Sequence, residues 1–119
     1  MTFSIVAYDP EANAHGVAVA SKFLAVGALV SWAKGGIGAV ATQSFIKVGY
    51  GPDGLALMAS GKSAQETLDA LIAADPGRDA RQVGIVDSEG RSASYTGSDC
   101  FAWAGSLTGE NFACQGNIL

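Results

Sequence analysis

The chain has 119 residues, 49% of them hydrophobic and only 15% charged, with a formal net charge of −4. That is one domain's worth of chain, since domains run to roughly 100–150 residues. The seven Lys and Arg residues are scattered and never adjacent, which excludes the basic stripe a nucleic-acid surface needs to release counterions from phosphates, and the acidic balance argues equally against anionic membrane surfaces.

The N-terminus, Met1-Thr2-Phe3-Ser4-Ile5, lacks a basic region followed by an apolar run, and no stretch reaches the ~18 uninterrupted apolar residues of a spanning helix. A cytoplasmic location is the expectation. The charged fraction falls well below the usual quarter. A domain this poor in charge is expected to cover part of its surface with another chain or another segment.

Thr2–Tyr8 alternates around β-branched and aromatic residues and reads as a strand. The turn cluster Asp9–Gly16 follows, and Val17–Lys22 resumes a β-type run, so the first 22 residues read as a hairpin. Leu24–Trp32 is apolar and fits either a strand or a buried helix. Ile37–Phe45 reads as a buried strand. Two helices come next, about Pro52–Ser60 with Gly61 as its stop, then one from Ser63 to Asp75. Ser63-x-x-Glu66 is a capping box, and Leu68, Leu71 and Ile72 share one helical face. With Leu55, Leu57 and Met58 they are expected to cover one sheet face. Gln82–Asp87 and Arg91–Thr96 form a strand pair around Ser88-Glu89-Gly90. A last pair is expected at about Asp99–Ala104 and Asn111–Gly116. Strands, two helices, then strands favour an α+β fold with mostly antiparallel sheets over βαβ winding. One helical pair covers one sheet face and leaves another apolar face bare.

Several formal motifs fail on context. Gly36-Ile37-Gly38-Ala39-Val40-Ala41 matches G-x-G-x-x-A, but a strand rather than a helix follows, and no acidic residue stands ~20 positions on. Gly61-Lys62-Ser63 resembles the end of a phosphate loop but joins helix to helix. His15 lies in a turn with no second group to orient it. Cys100 and Cys114 lack metal-ligand spacing, so no metal and no cofactor are expected. A hairpin centred on Leu107 would instead set the two thiols opposite each other, reduced and adjacent.

Thr2 carries the chemistry. Initiator Met is generally removed before small residues, and a terminal Thr offers a hydroxyl nucleophile and an α-amine in one residue. The free amine has a pKa near 7.7–8.0 and serves as a general base at neutral pH. A nearby cation lowers that pKa, and Lys22, at the end of the paired strand, is one candidate.

The runs Thr2–Ala7, Gly16–Gly27, Gly38–Gln43, Tyr50-Gly51-Pro52, Ala74–Arg78, Arg81–Gly84 and Cys114–Leu119 closely resemble the bacterial domain-of-unknown-function 1028 family. The resemblance is nearly continuous from Thr2 to Leu119. The family is grouped with the N-terminal-nucleophile (Ntn) hydrolases, so the resemblance implies the αββα sandwich of proteasome subunits and related amidohydrolases, here as its N-terminal portion. Lys22 stands where proteasome subunits carry an Asp, and Lys34 is the nearest match to their catalytic Lys. The resemblance makes Thr2, Lys22 and Lys34 the catalytic candidates. Thr42, Gln43, Ser44 and Asn117 become the candidates for holding substrate or its oxyanion. The expected function is hydrolysis of an amide bond in a small molecule or peptide. The alternative is a non-catalytic ligand-binding or assembly module. Expected partners are that substrate and either a second copy or a missing C-terminal segment, with no nucleic acid and no membrane.

Overall fold

The computed structural model describes every residue from Met1 to Leu119. The elements run β1 (Thr2–Asp9), β2 (Ala14–Ser21), α1 (Gly27–Val30), β3 (Ser31–Lys34), β4 (Gly38–Ser44), α2 (Tyr50–Ala59), α3 (Ala64–Ala73), β5 (Arg81–Asp87), β6 (Ser92–Thr96), β7 (Gly105–Gly109) and β8 (Phe112–Asn117). They build an α+β fold with two four-stranded sheets, ordered β2-β1-β8-β7 and β3-β4-β5-β6. Every strand pairing is antiparallel.

The sheets pack face to face through Val6, Ala39, Ala41, Val86 and Ala113, with Val30 of the one-turn α1 closing an end. The other face of β3-β4-β5-β6 carries α2 and α3. There Val40, Val83, Ile85 and Ala93 meet Tyr50, Met58, Ala64, Leu68 and Leu71, with Leu55, Leu57 and Ile72 packed around them. Strand alternation decides which core each side chain joins. Val40 points to the helices; Ala39 and Ala41 point to the other sheet. Trp32 lies against α2, and its ring occupies the space a side chain on Gly51 would fill.

The capping box forms as the sequence predicts. Glu66 N–H donates to Ser63 Oγ at 3.1 Å, and Ser63 N–H donates to Glu66 Oε1 at 3.0 Å. Gly61, at φ 102°, ends α2 in the left-handed region that glycine tolerates best. That helix begins at Tyr50, two residues before Pro52.

Two regions depart from the sequence reading. Leu24–Trp32 is neither a strand nor a full helix; it is a turn, the single helical turn α1 and the start of β3. The last hairpin is shifted. Its first strand is Gly105–Gly109, joined to β8 across Glu110 and Asn111, with Asn111 at φ 71°. Asn adopts this conformation more readily than most residues, so the chain reverses there rather than around Leu107. Leu107 is therefore the residue opposite Cys114, and Cys100 lies in the preceding loop, its Sγ donating to Arg81 O at 3.3 Å. Both cysteines are free, but they are not cross-strand partners. No helix is long and apolar enough to cross a membrane.

Candidate functional site

Strand alternation on β1 turns Thr2, Ser4 and Val6 toward the opposing sheet and leaves Phe3 and Ile5 on the outside. Thr2 is half-buried and sits between Ser21 of β2 and Asn117 of β8. Its Oγ1 shares a hydrogen bond of 2.9 Å with Ser21 Oγ, which also accepts from Phe23 N–H at 3.1 Å.

This end of the sandwich opens into a cleft of about 290 Å³. Thr2, Gln43 and Ser44 line it together with Phe23, Val26, Leu29, Val30, Phe45, Ile46 and Val48. Ser44 ends β4 at φ 70°, in the left-handed region. That reversal sends the chain out from the sheet as the wall Phe45–Val48.

The wall is tied down from behind. Thr42 Oγ1 donates to Lys47 O at 3.3 Å, and Arg81 Nη1 donates to Phe45 O at 2.8 Å. Arg81 is held in turn by the buried Asp75, which accepts from Arg81 Nε at 2.9 Å, Tyr50 OH at 2.7 Å and Gly77 N–H at 2.9 Å. Lys47 Nζ approaches the same carboxylate at 3.5 Å. The Arg81 hydrogen bond keeps the Asp75 carboxyl well below the usual range, against the opposing effect of burial. Burial, then the Asp75 carboxylate, push the Tyr50 hydroxyl far above its ordinary value. Asp75 is thus a charged anchor and Tyr50 a permanent donor to it.

Below the cleft a polar chain crosses between the sheets. Ser4 Oγ donates to Gln43 Oε1 at 2.7 Å, and Gln43 Nε2 donates to Gln82 Oε1 at 2.9 Å. Gln115 Nε2 donates to Ser4 Oγ at 2.7 Å, and Asn117 Nδ2 donates to Gln82 Oε1 at 3.0 Å. These groups are buried and satisfy one another, which fixes the two sheets in a single relative position. The remaining Gln115 Oε1 has no partner.

The candidates named from sequence therefore separate. Thr2, Gln43 and Ser44 meet in the cleft. Asn117 is beside Thr2, but its amide is engaged with Gln82. Thr42 faces away from the cleft and bonds the back of the wall. Lys22 is exposed and one residue past Ser21, the partner of Thr2. Lys34 is exposed and pairs with Gly38, at the opposite end of β4 from Gln43 and Ser44. No charged side chain lines the cleft. Sequence reasoning missed Ser21, because the hairpin register was needed to place it, and missed the wall and its Asp75–Arg81 anchor. No group of three His, Cys, Asp or Glu residues is arranged to hold a metal ion.

A larger open groove of about 590 Å³ runs along the outer face of β2-β1-β8-β7. Phe3, Ile5, Ala18, Ala20, Trp103 and Leu107 dominate it. It is a bare sheet face with few polar groups, and Thr2 is not among the residues that line it.

No curated protein matches the chain. Among solved structures it is similar to the crystal structure of protein SPO2555 from Silicibacter pomeroyi, itself described as DUF1028, with a TM-score of 0.95 and 33% sequence identity. The match takes in 99% of this chain and 55% of that one, so the chain spans about half the length of that relative. The model of the family of unknown function DUF1028 matches residues 2–119. The chain belongs to the DUF1028 family.

Proposed function

We propose that this chain carries the nucleophile of an N-terminal-nucleophile amidohydrolase, with the sandwich fold of that class, acting on an amide bond of a small molecule or peptide. The observation that carries the reading is Thr2. A hydroxyl one residue from the N-terminus lines an apolar cleft between two sheets and is hydrogen-bonded to Ser21 at 2.9 Å. None of the other nine lining residues is a proton acceptor at neutral pH. The base must then be the α-amine of Thr2 itself, released by hydrolysis of the Met1–Thr2 bond.

In this mechanism the Thr2 amine takes the Oγ1 proton as Oγ1 attacks the substrate carbonyl carbon. The C–N bond breaks, the proton passes to the leaving amine, and an ester on Oγ1 remains. Water, deprotonated by the same amine, then hydrolyses the ester and restores the hydroxyl. In this reading Ser21 orients Oγ1, and Ser44, which also lines the cleft, donates its hydroxyl to the developing oxyanion. Lys22 is the nearer of the two lysines and the one left to depress the amine pKa.

The decisive experiment pairs intact mass with amide hydrolysis. A species lacking Met1 should be active, Thr2→Ala should be folded and inactive, and Thr2→Ser should keep part of the activity. Full activity in Thr2→Ala would end the nucleophile reading. The second reading is a ligand-binding or assembly module. The lack of any charged group in the cleft favours it wherever Met1 stays attached. Ligand binding with no turnover by the Met1-free protein is its signature.

A further inference from the structure

The structure assigns a substrate class to the Thr2 cleft: we infer that it takes primary or secondary amides whose acyl group is short, apolar and uncharged. The inference rests on the amidohydrolase reading for its chemistry, but the ligand class stands on the lining alone. Phe23, Val26, Leu29, Phe45, Ile46 and Val48 form the walls, and no lining side chain is charged. Gln43 has no free polar group to offer, since its Oε1 accepts from Ser4 and its Nε2 donates to Gln82 Oε1 and Gln115 O. Thr2 and Ser44, both hydroxyl-bearing, are the polar side chains of the lining left to meet a ligand. Hydroxyls match an amide carbonyl, and with that carbonyl held at Thr2 beside its freed amine, a carboxylate or ammonium at the other end of the acyl chain would lie against the apolar walls without a counter-charge and lose its hydration uncompensated.

Size narrows the class further. The cleft's 290 Å³ stands at the bottom of the ligand-pocket range of about 300–1,000 Å³. One acyl group or one apolar side chain fills it, and an extended peptide does not. The wall cannot yield easily to admit more, because Arg81 and Thr42 hold Phe45 and Lys47 by their carbonyls.

The test uses the Met1-free protein, checked by intact mass, and five named probes: butanamide, hexanamide, phenylacetamide, succinamic acid and 4-aminobutanamide. Binding is read by ligand-observed NMR and hydrolysis by release of ammonia. Affinity should rise about fourfold per added methylene from butanamide to hexanamide, and the two charged probes should bind at least tenfold more weakly than phenylacetamide. Val48 is 41% exposed, so Val48→Lys should fold normally and move the preference to succinamic acid. Leu107→Lys, on the outer sheet face, should leave the order unchanged. Equal or tighter binding of the charged probes, no gain with chain length, no binding at all, or a response to Leu107→Lys but not to Val48→Lys each overturns the assignment. The predicted binding order without any ammonia release overturns the nucleophile reading alone. Preferred hydrolysis of succinamic acid overturns the ligand class alone.

Discussion

The two sheets share one inner core but live in different surroundings on their outer faces. On β3-β4-β5-β6 the helices shield the outer face, and the middle strands β4 and β5 are buried at nearly every position. On β2-β1-β8-β7 the outer face is open, and two apolar rows cross it: Ala18, Ile5, Cys114 and Leu107, then Ala20, Phe3, Gly116 and Gly105. Phe3 is 49% and Leu107 66% exposed there. The difference teaches that residue type does not report burial in this chain. Apolar faces of this extent mark contact surfaces in folded proteins, and the cleft at Thr2 lies at the seam between the covered sheet and the open one.

The contrast can be broken first at the anchor of the helical layer. Asp75, which follows α3, ties Tyr50 of α2 to Arg81 of β5. Asp75→Asn removes one partner of a buried ion pair and should cost about 3–5 kcal/mol, read by urea denaturation with Trp fluorescence. The pH dependence follows from the depressed carboxyl pKa. A group whose folded pKa lies below its unfolded value of 3.8 stabilises the fold above that value and loses the contribution as pH falls toward the folded one. Stability should therefore decline below about pH 4, and Asp75→Asn should flatten that decline. An unchanged acid limb in the variant would remove Asp75 from the account.

Leu68, 2% exposed against the covered sheet, sets the scale for the helix-side core. Leu68→Ala should cost about 2–5 kcal/mol, and Leu71→Ala should fall in the same range. A cost under about 0.5 kcal/mol would mean the helices do not shield this face. The smallest effect belongs to the open sheet, where Leu107→Ala should change stability by no more than about 0.5 kcal/mol. A cost above about 2 kcal/mol would show that the outer face is covered in solution, and sedimentation of the wild-type chain would then reveal whether a second copy covers it.

How far each region was legible follows from the same contrast. β4 read as a buried strand and β5 as a strand because shielding on both faces favours unbroken runs such as Ala39-Val40-Ala41 and Val83-Gly84-Ile85-Val86. The capping box and Gly61 were legible because their hydrogen bonds and φ angles are local. β3 and β7 were not. β3 is four residues long and depends on pairing with β4, and β7 exists through its pairing with β8. In the cleft, Thr2 could be named because the proposed chemistry needs only a position in the chain. Ser21 and the wall Phe45–Val48 could not, because strand register and the left-handed turn at Ser44 bring them to it.

The sequence by itself determined the family, the α+β class and the helical pair with its caps. All of these depend on interactions within a few residues or on residue identity alone. Tertiary structure decided which strands face which, and so separated the two lysines. Lys22 adjoins the partner of Thr2, whereas Lys34 falls at the far end of β4. It also decided that Gln43 and Asn117 spend their amides on Gln82 instead of a ligand. The physical reason is that hydrogen-bond partners and side-chain faces are set by strand pairing across the whole chain. A period of two along each strand fixes alternation, but only the packed sheets fix which alternate face meets the cleft.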